Sequence, residues 1–143
     1  LYRGHCNMSI TLKVTKRNKK YRSVNNQYDK LTQQIISMAG QMVRNTAVKS
    51  IQSSSGGGRT YGNHTASAEG QPPNTDTGFL ASNIFAIYDA DKLGCDVESR
   101  ADYSEYLEFG TKDMKERPFM QPALEENRPK IKSMYRKLKA RGA

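Results

Sequence analysis

One long segment of helical period limits what this chain can fold into. Val24, Tyr28, Leu31, Ile35, Met38, Ala39, Met42 and Thr46 recur at steps of three and four. That spacing predicts an amphipathic helix from about Val24 to Ile51, with those residues as its buried face. Ser23 or Asn25 has the side chain to cap it. At 1.5 Å per residue the helix is roughly 40 Å long. A small domain covers only part of such a rod, so one end is expected to project toward another chain. The run Ser53-Ser54-Ser55-Gly56-Gly57-Gly58 stops it and reads as a flexible linker. From there to Gly78 the chain is rich in Gly, Pro, Ser, Thr and Asn, without periodicity. Loops of this length are functional or disordered, and Ser53 to Thr77 is expected to order upon assembly. The glycine run is not a phosphate loop: it lacks the trailing Gly-Lys-Ser/Thr and follows a helix, where a phosphate loop follows a strand.

The remaining elements are short. Ile10, Leu12 and Val14 alternate with polar residues, as in a half-buried strand. Phe79 to Asn83 suits a turn of helix capped by Asp76 or Thr77. Ile84, Ala86 and Tyr88 alternate with Phe85, Ile87 and Asp89, and Asp91-Lys92-Leu93-Gly94 turns the chain back. Cys95, Val97 and Ser99 continue the alternation, so a hairpin is predicted with Cys95 and Val97 facing the core. A final helix from about Phe119 to Ala140 groups Leu124, Ile131, Met134 and Leu138 on one face. Pro129 is expected to kink or divide it. Early Glu125 and Glu126 and later basic residues suit its dipole. The expected fold class is α+β: a small antiparallel sheet packed against one long N-terminal helix and a kinked C-terminal helix. Residues 1–7 read as a flexible extension before Met8, and 8–143 as one domain with a flexible loop at about 53–77.

An apolar fraction of 36% and a mean hydropathy of −0.81 are low for a self-sufficient globule. Either part of the chain is flexible or neighbours supply much of the burial. No apolar run approaches the roughly 20 residues that span a membrane, and no secretory signal is read. Cys6 and Cys95 form no metal or redox motif and read as free thiols in a reducing compartment. With His5 and His64 as the only histidines, no zinc site is expected. The net charge is +9, and six basic residues with no acidic one lie between Lys13 and Arg22. Every charge after Glu126 is basic, while the acids gather between Glu69 and Glu126. Such segregation suits nucleic-acid contact and equally suits head-to-tail assembly of subunits. Lys19, Lys20 and Arg22 flank Tyr21, and Tyr135 lies among Lys132, Arg136 and Lys137, so charge is joined to stacking rings. A small basic nucleic-acid-binding protein is therefore the alternative reading. Catalysis has little support: Glu125 and Glu126 are helix neighbours that do not face each other, and no nucleophile has a base beside it. No enzyme activity and no cofactor are expected.

The stretch YSEYLEFGTKDMKERPFMQPA, Tyr103 to Ala123, has different chemistry. Tyr103, Tyr106 and Leu107 fall on one face of a short helical turn. Gly110 suits a left-handed stop, and Pro118 and Pro122 suit the first turn of a new helix. Phe119 and Met120 are natural packing anchors. This wording resembles the neck (head–tail joining, or tail-completion) proteins of long-tailed double-stranded DNA bacteriophages. The pieces that carry the resemblance are Leu107-Glu108-Phe109-Gly110-Thr111, Arg117-Pro118-Phe119 and Pro122-Ala123-Leu124. An upstream block from His64 to Ile84 is similar in order and spacing, with Pro72-Pro73-Asn74, Asp76-Thr77-Gly78 and Leu80. Phe79 departs from the family pattern, which often has a polar or basic residue there.

The resemblance implies a structural virion protein of the neck, assembled in the host cytoplasm, that joins the DNA-filled head to the tail as a ring and lets the genome pass. The implied partners are further copies in a hexamer or dodecamer, a portal-side adaptor or head-closure protein, a tail terminator or tail tube, and transient double-stranded DNA in the lumen, with no membrane. Tyr103, Tyr106, Leu107, Phe109, Arg117, Pro118 and Phe119 are the candidate subunit or partner interface; internal packing competes for Phe109 and Phe119. Lys19, Lys20 and Arg22 are a candidate basic contact, placed at subunit contacts or outer faces because a strongly basic lumen would impede DNA.

Overall fold

The computed structural model describes residues 8–13, 25–89 and 93–141. Three strands form an antiparallel sheet in the order β1-β5-β4. These are β1 (Met8–Lys13), β4 (Ile84–Asp89) and β5 (Gly94–Ser99). The register runs from Met8 and Ile84 opposite Ser99 to Lys13 and Asp89 opposite Gly94. Met8, Ile10, Leu12, Ile84, Cys95 and Val97 thereby share the inner face, as predicted for Cys95 and Val97. The outer face carries Ser9, Thr11, Glu98 and Phe85. There Arg100 lies over the Phe85 ring at 4.5 Å and meets Glu98 at 2.7 Å, so an apolar ring on the solvated side is covered by a charged planar group. Val14 and, of the expected 91–94 turn, Asp91 and Lys92 lie outside the described residues.

Helix α1 (Asn25–Ser53) lies between this sheet and helix α4 (Met120–Arg141). The fold is α+β, with a long N-terminal and a C-terminal helix against a small sheet. The buried stripe of α1 is Thr32, Ile36, Ala39, Val43, Ala47 and Ile51. That corrects the face expected from the sequence, of which only Ala39 is buried among the described residues. Leu31 is 40% exposed and Met38 55% exposed. The reason is close approach. A Cβ on Gly40 would collide with the Cys95 sulfur and reach Ala86, so the sheet admits only the small-residue side of the helix.

Around α1 the core collects Val43, Ala47, Ile51, Leu80, Ile84, Val97, Phe119, Met120 and Ala123. Two polar contacts fix the layers. The Arg44 Nε donates to the Ile84 carbonyl at 2.9 Å. The Asn127 Nδ2 donates to Thr46 Oγ1 and to the Ala123 carbonyl, both at 2.8 Å. Asn127 is buried on the α4 face that also turns Ala123, Leu124, Ile131 and Leu138 inward, and α4 continues through the exposed Pro129 without dividing. Cys95 is a buried free thiol; Cys6 lies outside the described residues, as do residues 1–7 and the basic connection with Lys19, Lys20 and Arg22.

Between the long helices, segment 54–78 carries a small hairpin, β2 (Thr60–Tyr61) with β3 (His64–Thr65). It is followed by the short helix α2 (Phe79–Ser82). The cap of α2 is Gly78, with φ 78°, in place of the expected Asp76 or Thr77 side chain; Thr77 Oγ1 accepts from the Phe79 N–H at 3.3 Å.

Candidate functional site

Helix α3 (Ser104–Phe109) reverses the usual partition of side chains. Its buried residues are Ser104 and Glu108, with Ala101 just before it. The aromatic residues point outward: Tyr103 is 42% exposed, Tyr106 57% and Phe109 66%. Folding alone favours the opposite arrangement, because each exposed ring forfeits transfer free energy. The single face expected for Tyr103, Tyr106 and Leu107 is split, since Leu107 turns inward against the core. Phe109, for which internal packing was weighed, is the most exposed of the four.

The inversion has a local cause. The Glu108 carboxylate is buried at 4% exposure and receives the first N–H groups of α4. Phe119 N donates to Oε2 at 2.8 Å, Met120 N to Oε2 at 3.0 Å, and Gln121 N to Oε1 at 2.7 Å. An anion placed on the free donors of a helix N-terminus satisfies them and complements the helix dipole. Reading the sequence missed this role for Glu108. The available signal was an acid near the end of one short helix, followed by a proline-headed helix with no acidic residue of its own in the first turn. Glu125, expected to serve the dipole, instead pairs with Arg128 at 2.7 Å on the surface.

After α3 the chain folds tightly back. Gly110 has φ 73° and ψ −178°. This is positive φ as expected, but with extended ψ, a region open essentially to glycine alone. Thr111 N donates to the Met114 carbonyl at 2.8 Å, and Arg117 N to the Leu107 carbonyl at 2.6 Å. Phe119 is fully buried, and Arg117 and Pro118 are half-buried. Of the candidate interface residues, Tyr103, Tyr106 and Phe109 are thus presented outward, while Leu107 and Phe119 pack inward.

The two sequence blocks that carry the resemblance meet here. Gly70 N donates to the Glu116 carbonyl at 2.9 Å. The Arg117 Nε donates to the Ser67 carbonyl at 3.2 Å. Phe79 is 51% exposed, and its ring lies tilted beside that of Tyr103 with centroids 6.3 Å apart. The 54–78 segment is also tied to itself, through Ser54 Oγ to the Pro72 carbonyl at 2.6 Å and Asn74 Nδ2 to the Thr65 carbonyl at 2.9 Å. An open groove of about 880 Å³ borders the aromatic patch, lined in part by Tyr61, His64, Asp76 and Lys112. His64 Nδ1 and Asp76 Oδ1 are 3.9 Å apart. Partial burial, and then the Asp76 charge, push the Tyr103 hydroxyl above its ordinary range, so this ring stays neutral.

Among the described residues no three His, Cys, Asp or Glu side chains converge to hold a metal ion, and no helix is long and apolar enough to cross a membrane. Comparison with protein-family models, with curated proteins and with solved structures gives no match. What the arrangement offers chemically is contact: aromatic rings held outward on a short helix whose other side is locked to the core.

Proposed function

We propose that the protein is a structural, non-enzymatic component of a bacteriophage neck that assembles as a ring between the DNA-filled head and the tail. The observation that carries the reading is the aromatic patch of Phe79, Tyr103, Tyr106 and Phe109. It is built where the two neck-like sequence blocks meet, and it is exposed at a cost to the lone chain. Supporting it are the low apolar content and the segregation of acidic and basic charge. In the virion the partners would be a portal-side adaptor or head-closure protein on one side and a tail terminator or tail tube on the other. Double-stranded DNA would pass through the lumen. Ring size, six or twelve copies, follows from which neighbour sets the symmetry.

The test is light scattering or mass photometry of the purified chain at low and high salt, followed by negative-stain imaging. Closed rings are expected. A chain that stays monomeric alone and beside portal-side proteins would overturn the reading. The alternative, a small basic nucleic-acid-binding protein, draws on the exposed Lys130, Lys132, Arg136 and Lys137 of α4. Tight, strongly salt-dependent DNA binding by a monomer would favour it.

A further inference from the structure

Helix α4 carries charge of one sign over most of its length. All 14 acidic residues of the chain lie at or before Glu126, and every charge from Arg128 to Arg141 is basic. Lys130, Lys132, Arg136 and Lys137 are exposed. Arg128 is taken up by Glu125 at 2.7 Å, but none of those four pairs with a carboxylate among the described residues. The helix packs on α1, whose only acidic residue is Asp29. On α4 itself the nearest acid is Glu126, one turn before Lys130. At 3.6 residues per turn, Lys130 and Lys137 share one shoulder of the exposed arc, and Lys132 and Arg136 share the other, roughly 100–160° away. Pro129, Ser133 and Ala140 are exposed between the two rows.

This surface has the parts that hold phosphate and lacks those that other partners need. None of the exposed large apolar residues lies on α4, so a protein would find no apolar anchor there. Tyr135, which the sequence sets among Lys132, Arg136 and Lys137 as a stacking ring, is half-buried. The face therefore offers no open platform for an unpaired base. The residues between the rows carry no amide or carboxylate with which to read a base edge. A helix is about 10–12 Å across with its side chains, and the major groove of a duplex is about 12 Å wide, with phosphates along both walls. Basic rows on both shoulders and small residues between them match that shape.

We propose that α4 from Lys130 to Lys137 is a contact for duplex DNA, its two basic rows meeting the phosphates on either side of one groove without regard to base sequence. The contact goes beyond the ring reading, because it needs only one chain and holds for a lone or an assembled one. Three to four neutralised phosphates give a slope of log affinity against log salt of about −3 to −4. Binding of that kind is weak at physiological salt and lets a duplex slide past.

The experiment titrates the full chain with two duplexes of unrelated sequence and with an oligothymidylate of the same length, by fluorescence anisotropy at several salt concentrations. One variant, Lys132→Gln with Lys137→Gln, removes a charge from each row. A second, Lys49→Gln with Lys115→Gln, removes the same charge at exposed positions off this face. Circular dichroism checks that both fold. The parent should bind the two duplexes alike and the single strand more weakly. The α4 variant should lose about two from the salt slope and roughly tenfold or more in affinity at low salt, while the second variant stays near the parent. Equal losses in both variants would mean that binding follows net charge, and the assignment to α4 falls. It falls too if the parent does not bind duplex at low salt, prefers the single strand, separates the two duplexes, or is competed as well by polyglutamate, which would give the face to an acidic protein. Sedimentation velocity on the same samples reads assembly separately. Rings whose DNA binding ignores the α4 variant refute this contact and leave the ring reading standing; a monomer that binds duplex through α4 does the reverse.

Discussion

Replacing Glu108 by alanine tests the central joint of the site. Its carboxylate accepts from Phe119, Met120 and Gln121 at 2.8, 3.0 and 2.7 Å. Phe119 and Met120 are 0% and 1% exposed, so water cannot easily replace the lost acceptor for their N–H groups. A buried donor left unsatisfied costs about 1–3 kcal/mol, and two of them cost about 2–6 kcal/mol. Gln121 is exposed, and its N–H can turn to solvent. Loss of the anion from the helix terminus adds about 0.3–2 kcal/mol. Local relaxation returns part of this, so Glu108→Ala should destabilise the fold by about 3–6 kcal/mol. For a chain of this length that lowers Tm by roughly 10–20 °C. Glu108→Gln keeps one oxygen able to face Phe119 and Met120 and should cost about 1–2 kcal/mol. Glu116→Gln changes the charge equally at an exposed side chain nearby and should stay within about 0.5 kcal/mol of the parent. Urea denaturation followed by circular dichroism reads all three. Glu108→Ala within 1 kcal/mol of the parent would refute the capping account, and with it the explanation of why α3 points its rings outward.

Gly40→Ala should cost about 1–3 kcal/mol by overpacking against Cys95, and adding Cys95→Ala should recover part of that loss; an additive double-mutant cycle would contradict the close approach. Gly110→Ala places a Cβ 2.8 Å from the Met114 carbonyl oxygen and 2.9 Å from the Glu116 nitrogen, at φ 73°. It should cost more than 1–3 kcal/mol of backbone strain alone, and chemical denaturation would show whether it is tolerated. Burial, and then the Asp96 charge, raise the Cys95 thiol above its ordinary range. The folded chain then holds the thiol proton where the unfolded chain releases it, so this contribution to stability is full below about pH 9 and fades as pH rises through the raised value. Denaturation across that range should show a decline that Cys95→Ala lessens, and the native thiol should react slowly with thiol reagents. Should a protease cut the 54–77 segment equally fast in free and assembled protein, ordering of that segment upon assembly is refuted.

Period and alternation located β1, the β4–β5 hairpin and both long helices, because each follows a regular side-chain period, and they missed the small β2–β3 hairpin in the aperiodic 54–78 segment. They misassigned the buried face of α1. Its true stripe joins Ile36, Val43 and Ile51 with Thr32, Ala39, Gly40 and Ala47, and the close approach to the sheet is made at Gly40, while Leu31 and Met38 lie outside. Hydrophobicity ranks residues by transfer energy and carries no information on the separation between layers. Glu108 was missed for a related reason: its partners lie 11 to 13 residues away and are backbone donors, which have no side-chain signature. The aromatic patch was legible as a set of residues, but not as a surface, since nothing in the spacing of Tyr106 and Leu107 says which one faces the core.

The two misreadings share a physical origin. In α3 the aromatic rings point to solvent while Ser104 and Glu108 take the interior, and in α1 Leu31 and Met38 stay outside although Ile36, Val43 and Ile51 are buried. A lone chain gains nothing from exposing Met38 and Phe109, which forfeits part of the about 1.5–3 kcal/mol that full burial of each side chain would bring. Each inversion is held by something the interior demands: contact between Gly40 and Cys95 in one case, the three N–H groups of α4 in the other. The interior therefore explains which residues are inside. It does not explain why the outward positions are Leu, Met, Tyr and Phe when any charged or small polar residue would satisfy folding there. A partner covering these surfaces would recover the forfeited free energy.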